Sequence, residues 1–263
     1  GGIDTQPREG DLVVIAYGAG SNASRAISIT TTGYEVTSTI YANDVNDALL
    51  FVGYKFMGVS PDTTVTIGSI GTSASGGGVT IFVYRGVDPV QPLDVTAISA
   101  SAIDSATADP ASITPYTPDS AIIVAAAAAH QSGAQLFTNS ELLNFISVGV
   151  DATTNDGTVG MGWKIWTGGA FNPAAFTIGT STTSDSWAAW TIALRPAGYW
   201  QYITAPYLDN SVDTFYAPQF NLNLTPTPLD DGTDTFYASR IALNLSPSLL
   251  TDGDTIFAPS VVQ

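Results

Sequence analysis

Apolar residues in this chain recur at every second position, in short bursts cut off by turn-forming spacers. The spacing of three and four that an amphipathic helix needs is almost absent. In "LLFVGYKFMG" (49–58), Leu50, Val52, Tyr54 and Phe56 alternate with Lys55 and its neighbours. "RAISITTTG" (25–33) places Ile27 and Ile29 on one face, while "TTVTIGSI" (63–70) and "GVTIFVYRG" (78–86) keep the period of a half-buried strand. "DSWAAWTIALRPAG" (185–198) sets Trp190, Ile192 and Leu194 on one side and Trp187 and Thr191 on the other. Arg195-Pro196 then ends it, because proline has no N–H for a central ladder. "DLVVIAYG" (11–18) and "GTVGMGWKIWTG" (157–168) are further strands.

Two segments are less direct. "SAIIVAAAAAH" (120–130) has helix-forming alanines, but its β-branched start and the preceding "TPYTPDS" turn argue for a buried strand packed closely under bulky side chains. "NSELLNFI" (139–146) is the best helical candidate, one or two turns long, with Asn139 or Ser140 as cap and Glu141 in the first turn. The acidic residues agree with a strand-and-turn protein. All but Glu9, Glu35 and Glu141 are Asp, which bonds to nearby backbone and favours turns over helices. The expected fold is all-β: a jelly-roll-like sandwich over 10–198, behind a short N-terminal arm (1–9) and ahead of a repeat tail (199–263). Within the sandwich segment no phrase is seen to repeat.

The tail does repeat. "DTFYAP" (213–218) returns as "DTFYAS" (234–239) and as "DTIFAP" (254–259). Between the copies, Leu222 and Leu224 match Leu243 and Leu245, and Pro226 matches Pro247. A unit this small cannot bury its own apolar face, so it must stack on its neighbours or on another chain. Each copy sets two large apolar residues side by side: Phe215 and Tyr216, Phe236 and Tyr237, Ile256 and Phe257. Neighbours in a strand face opposite ways, so one of each pair is expected inside and the other under a partner. These six residues are the expected assembly interface.

"VYRGVDPVQPLD" (83–94), "TNDGTVGMGWKIWTGGAFNPAAFT" (154–177) and "SWAAWTIALRPAG" (186–198), followed by the repeated tail, resemble a module of structural proteins of tailed bacteriophages and related prophage genes. The resemblance spans roughly residues 10 to 263. It implies a virion component, such as a tail, fibre or capsid-surface protein, and supplies no catalytic or binding residues. The expected partners are further copies of the chain and other virion proteins, with a host-surface glycan as the alternative if the chain is an adhesin.

Charge and composition exclude other classes. The net charge is −16, and the seven Lys and Arg are scattered with no two adjacent, so there is no basic footprint for nucleic acid or anionic lipid. The longest apolar stretch, "AIIVAAAAA" (121–129), is too short for a membrane-spanning helix. "GGIDTQPREGDLVV" has no basic segment leading into an apolar core, so no secretory signal is expected there. Without cysteine there are neither disulfides nor thiolate metal sites.

No motif argues for an enzyme or a cofactor. His130 is the single histidine, and no G-x-S-x-G elbow offers a nucleophile, so it reads as a strand-end histidine. Asp230, Asp231 and Asp234, echoed by Asp252 and Asp254, have oxygen ligands for Ca²⁺, but the spacing is that of tight Asp-Gly turns. Of Trp163, Trp166, Trp187, Trp190 and Trp200, the pairs three apart point to opposite faces of a strand. Core packing is therefore expected for at least half of them, ahead of sugar stacking. "GGG" (76–78) lacks the lysine and helix of a phosphate loop.

Overall fold

The computed structural model describes residues 6–20, 24, 27–44, 46–68, 76–105, 107–130, 135–152, 156–178 and 185–198, together with three short strands of the tail. The chain divides into two compact units, 1–197 and 198–263. Among the described residues there is no helix.

The strands of the first unit are, in chain order, β1 (Leu12–Gly20), β2 (Ser28–Ile29), β3 (Glu35–Ala42), β4 (Ala48–Phe56), β5 (Ile67–Gly68), β6 (Gly77–Tyr84), β7 (Leu93–Ser105), β8 (Thr107–Ala108), β9 (Ala121–His130), β10 (Phe137–Thr138), β11 (Leu143–Val150), β12 (Asp156–Ile165), β13 (Phe176–Ile178) and β14 (Asp185–Leu194). They form a four-stranded sheet, β3-β4-β1-β6, facing a five-stranded sheet, β11-β12-β9-β14-β7, with every pairing antiparallel. Leu12, Val14, Leu50 and Val52 of the first sheet meet Ile123, Val159, Met161, Trp190 and Ile192 of the second in the core between them.

Each sheet is also covered over part of its outer face. A small β10-β13-β8 sheet lies with Ile122, Val124, Ala126 and Trp187 on the far side of the five-stranded sheet. The β2-β5 pair lies over Val13, Ile15, Tyr17 and Phe51 on the far side of the other. Strands buried on both faces lose the apolar-polar alternation and read as continuous apolar runs. That is why "AIIVAAAAAH" is a strand despite its alanines: β9 is the centre of its sheet and is buried over nearly its whole length. Its small side chains also bring the sheets together. A Cβ added at Gly18 would stand 2.7 Å from the Cβ atoms of Ala127 and Val159, so only glycine fits there.

The head proves to be a duplicated unit. Strand order β3-β4-β1-β6 in the first half is matched by β11-β12-β9-β14 in the second, and each half carries its own cover pair, β2-β5 and β10-β13. The paired strands begin at 12 and 121, 28 and 137, 35 and 143, 48 and 156, 67 and 176, and 77 and 185, always 108 or 109 residues apart. Register is kept too. Leu12 pairs with Phe56 as Ala121 pairs with Ile165, and both edge ladders are bulged at one place, between Val36 and Ser38 and between Leu143 and Ile146. β1 packs on β9 and β12, and β9 on β1 and β4, as an exchange of halves about a two-fold requires. The second half is preceded by an arm, in which β7 extends the main sheet beside β14 and β8 extends the cover beside β13.

In sequence the halves share little beyond Asn46-Asp47…Gly53-Tyr54-Lys55-Phe56 and Asn155-Asp156…Gly162-Trp163-Lys164-Ile165. The structure gives the aspartates and lysines among them common roles. Asp47 and Asp156, both buried, accept hydrogen bonds from the backbone of the loop before them, Asp44 N at 2.5 Å and Ala152 N at 2.6 Å. Lys55 Nζ reaches the Thr32 carbonyl at 2.8 Å, and Lys164 Nζ reaches Glu141 Oε1 at 2.7 Å, positions again 109 apart.

The all-β sandwich is as expected, while the winding departs from a jelly roll: each sheet comes from one stretch of chain, so the path crosses between sheets once, from β6 to β7. The helix expected at 139–146 is a turn followed by β11. Asn139 does cap, its Oδ1 accepting from Glu141 N (2.9 Å) and Leu142 N (3.1 Å), but pairing of β11 with β12 captures the residues that follow. In the second unit, β15 (Thr214–Tyr216), β16 (Thr235–Tyr237) and β17 (Thr255–Phe257) form a parallel sheet.

Candidate functional site

The tail phrases pair like with like. Phe215 is opposite Phe236, and Phe236 opposite Ile256; Tyr216, Tyr237 and Phe257 make the next row. The six residues expected at the assembly interface thus share two adjacent register rows of one ladder. Parallel in-register pairing is what stacked units of nearly equal length give, since each phrase meets its successor at the same point of the turn. Asp230, Asp231, Asp234, Asp252, Asp254 and Trp200 lie outside the described residues.

In the first unit, the expected reading of His130 holds. It closes β9, is buried, and sits 3.1 Å from Thr158 Oγ1, which in turn donates to the Gln135 carbonyl. No group of three His, Asp or Glu is arranged to hold a metal ion among the described residues. The tryptophans divide between faces as the period of two requires: Trp163 and Trp190 face the inter-sheet core, Trp166 and Trp187 the outer one. None of these four stands out as an open stacking platform.

A cleft of about 450 Å³ lies between the edges of β3 and β7. Glu35, Thr37 and Ser38 line one side, Thr96 and Ile98 the other, with Tyr54 among them. Tyr54 Oη donates to Glu35 Oε2 at 2.7 Å; burial, and secondly the glutamate, push the phenol up to about 12. The cleft therefore offers one carboxylate and several hydroxyls. Sequence reading missed it, because β7 and β3 are distant in the chain and only the packing of the two sheets sets them side by side.

Lys55 pairs with Asp62 at 2.7 Å, and three further ion pairs tie the strand ends. Arg85 forms a two-pronged pair with Asp11, its Nε 2.8 Å from Oδ1 and its Nη2 2.8 Å from Oδ2, and that hydrogen bonding holds the Asp11 carboxyl below its usual range. Burial raises Asp94, but the Thr117 hydroxyl, the backbone N–H groups of Thr117 and Tyr116, and Arg195 together outweigh it and leave the carboxyl lowered. Glu141 is likewise raised by burial and lowered overall by Lys164 and the Ala174 N–H. These groups are scaffolding, since both oxygens of each carboxylate accept from protein donors.

In comparisons with family models, with curated proteins and with solved structures, nothing matched the chain.

Proposed function

We propose that this chain is a structural component of a tailed-phage particle, a tail, fibre or capsid-surface protein that assembles with its own copies and with other virion proteins. The observation that supports this best is the parallel, in-register ladder of the tail. β15 and β17 each pair on one side only among the described residues, and an unpaired strand edge is a template for a further strand. No catalytic role is assigned to either unit. Deleting 199–263 should leave a folded β protein that no longer enters particles or the higher oligomers of the full chain. Light scattering of both forms, with particle incorporation scored beside it, tests this; a truncated head that assembles like the full chain refutes the role of the tail.

The cleft between β3 and β7 supports a second reading, a carbohydrate-binding adhesin, because a carboxylate and clustered hydroxyls suit a sugar's own hydroxyls. Saturable binding on a glycan array, abolished by Glu35→Ala, would favour it.

A further inference from the structure

The duplication exposes an inequality between the halves. In the second half the outer edge of β14 is taken by β7, which runs antiparallel to it from Leu93 opposite Leu194 to Ser105 opposite Asp185. The corresponding edge in the first half belongs to β6, and among the described residues no strand pairs with it.

The outer face of β6 differs accordingly. Val79, Ile81 and Val83 are 36, 46 and 38% exposed, a row of three β-branched apolar residues at alternate positions. Phe82 and Tyr84 point the other way, into the inter-sheet core. On β14 the equivalent row is Ala189, Thr191 and Ala193, all fully buried.

Sheet edges are normally guarded by charge, proline or a bulge. The ladders of β3, β7 and β11 all contain register shifts, and β3 and β7 carry carboxylates, Glu35 and Asp94. β6 has none of these defences. It pairs with β1 without interruption from Gly77 to Tyr84, and no residue in it is charged, although the whole chain carries −16. For two such acidic chains, this uncharged edge is a place where strands can meet without like-charge repulsion.

The sequence Val79-Thr80-Ile81-Phe82-Val83 is also close to a palindrome in side-chain character. Laid antiparallel on a copy of itself about Ile81, it sets Ile81 against Ile81 and Val79 against Val83, so the exposed rows become one apolar stripe across the join. Isologous contact of this kind is how most homodimers close.

We propose that two copies of the chain join through the outer edges of β6, antiparallel about a two-fold at Ile81, merging their four-stranded sheets into one continuous sheet. The surface is distinct from the tail ladder and does not depend on it.

Cysteine cross-linking of the full-length chain tests the register directly, because the chain has no cysteine of its own. Directly opposed residues in an antiparallel pair have Cβ atoms about 4.5–5.5 Å apart, near the disulfide range of about 3.5–4.5 Å. Ile81→Cys should therefore give disulfide dimers under mild oxidation at least about tenfold faster than Val59→Cys, whose site is 81% exposed and off the edge. Ile81→Lys, placed where the native residue is already half exposed, should leave the circular dichroism unchanged and raise the dimer dissociation constant at least about tenfold. Cross-linking of Ile81→Cys no faster than Val59→Cys overturns the proposal, whether the edge is empty or occupied by another protein's strand. A tail deletion that leaves assembly intact refutes the role given to the tail and leaves this one standing.

Discussion

Gly18 is where the packing of the two sheets is most directly open to measurement. An added methyl there would lie 2.7 Å from the Cβ atoms of Ala127 and Val159 and 3.0 Å from the Thr158 carbonyl oxygen. None of these atoms is the free end of a flexible side chain. All belong to β9 and β12, whose backbones are locked by pairing with each other. Gly18→Ala can therefore be accommodated only by pushing the sheets apart. Overpacking of this kind costs about 1–3 kcal/mol, and about 2 kcal/mol corresponds to a Tm lower by about 4–8 °C in a unit of this size. Gly58→Ala is the matched control, since its added methyl meets nothing within 4 Å. Both substitutions remove the same backbone freedom from the unfolded chain, and at an unstrained site that stabilises by about 0.4–1 kcal/mol. Urea titration at neutral pH, followed by circular dichroism, should thus separate the variants by about 1–3 kcal/mol, the overpacking cost alone, since the unfolded-chain gain is common to both, with the slope unchanged. Equal midpoints for the two alanine variants would refute the close approach of the sheets at Gly18, and with it the account of why β1 has glycine where β9 has alanine.

Acid should destabilise the head. Asp11, Asp94 and Glu141 are held below their ordinary pKa values in the fold, so their contribution is complete above about pH 4–5 and is lost as pH falls through the folded values. Arg85→Ala should cost about 1–2 kcal/mol, less than a wholly buried pair because Arg85 is half exposed, and should flatten the stability-against-pH curve below pH 4–5. Asn139→Ala removes the acceptor for Glu141 N and Leu142 N and the donor to the Ala174 carbonyl; chemical denaturation should report a loss of about 1–2 kcal/mol. If the Asp-Gly phrases of the tail are turns alone, chelator leaves the melting temperature where it was. A calcium site at about 100 times its dissociation constant would add about 2.7 kcal/mol and be plain in the same scan.

Residues whose fate depends on near neighbours were legible before the fold was known. Trp187 and Trp190 divide between the two faces because three positions along a strand reverse the side, whatever it packs against. His130 ends its strand as its place before a turn suggests. "NSELLNFI" misleads for the opposite reason. Its cap signal is local and genuine, but the partner that decides its state is β12, and pairing over that distance overrides a preference worth a fraction of a kcal/mol per residue.

The amino-acid order alone determined that this is an all-β chain, because a period of two and an Asp-rich turn vocabulary act within a few residues. It also marked the three tail phrases, where the side chains themselves repeat. That the head is a second repetition was decided only by tertiary structure. Strand order, register and the shared bulge are written in backbone hydrogen bonds, which are the same for every residue type but proline, so two halves can keep one pairing plan while Tyr17 becomes Ala126 and Phe51 becomes Gly160. What such a plan constrains is volume where the sheets touch, as at Gly18 against Ala127. Volume is a property of two residues that only the folded chain brings together.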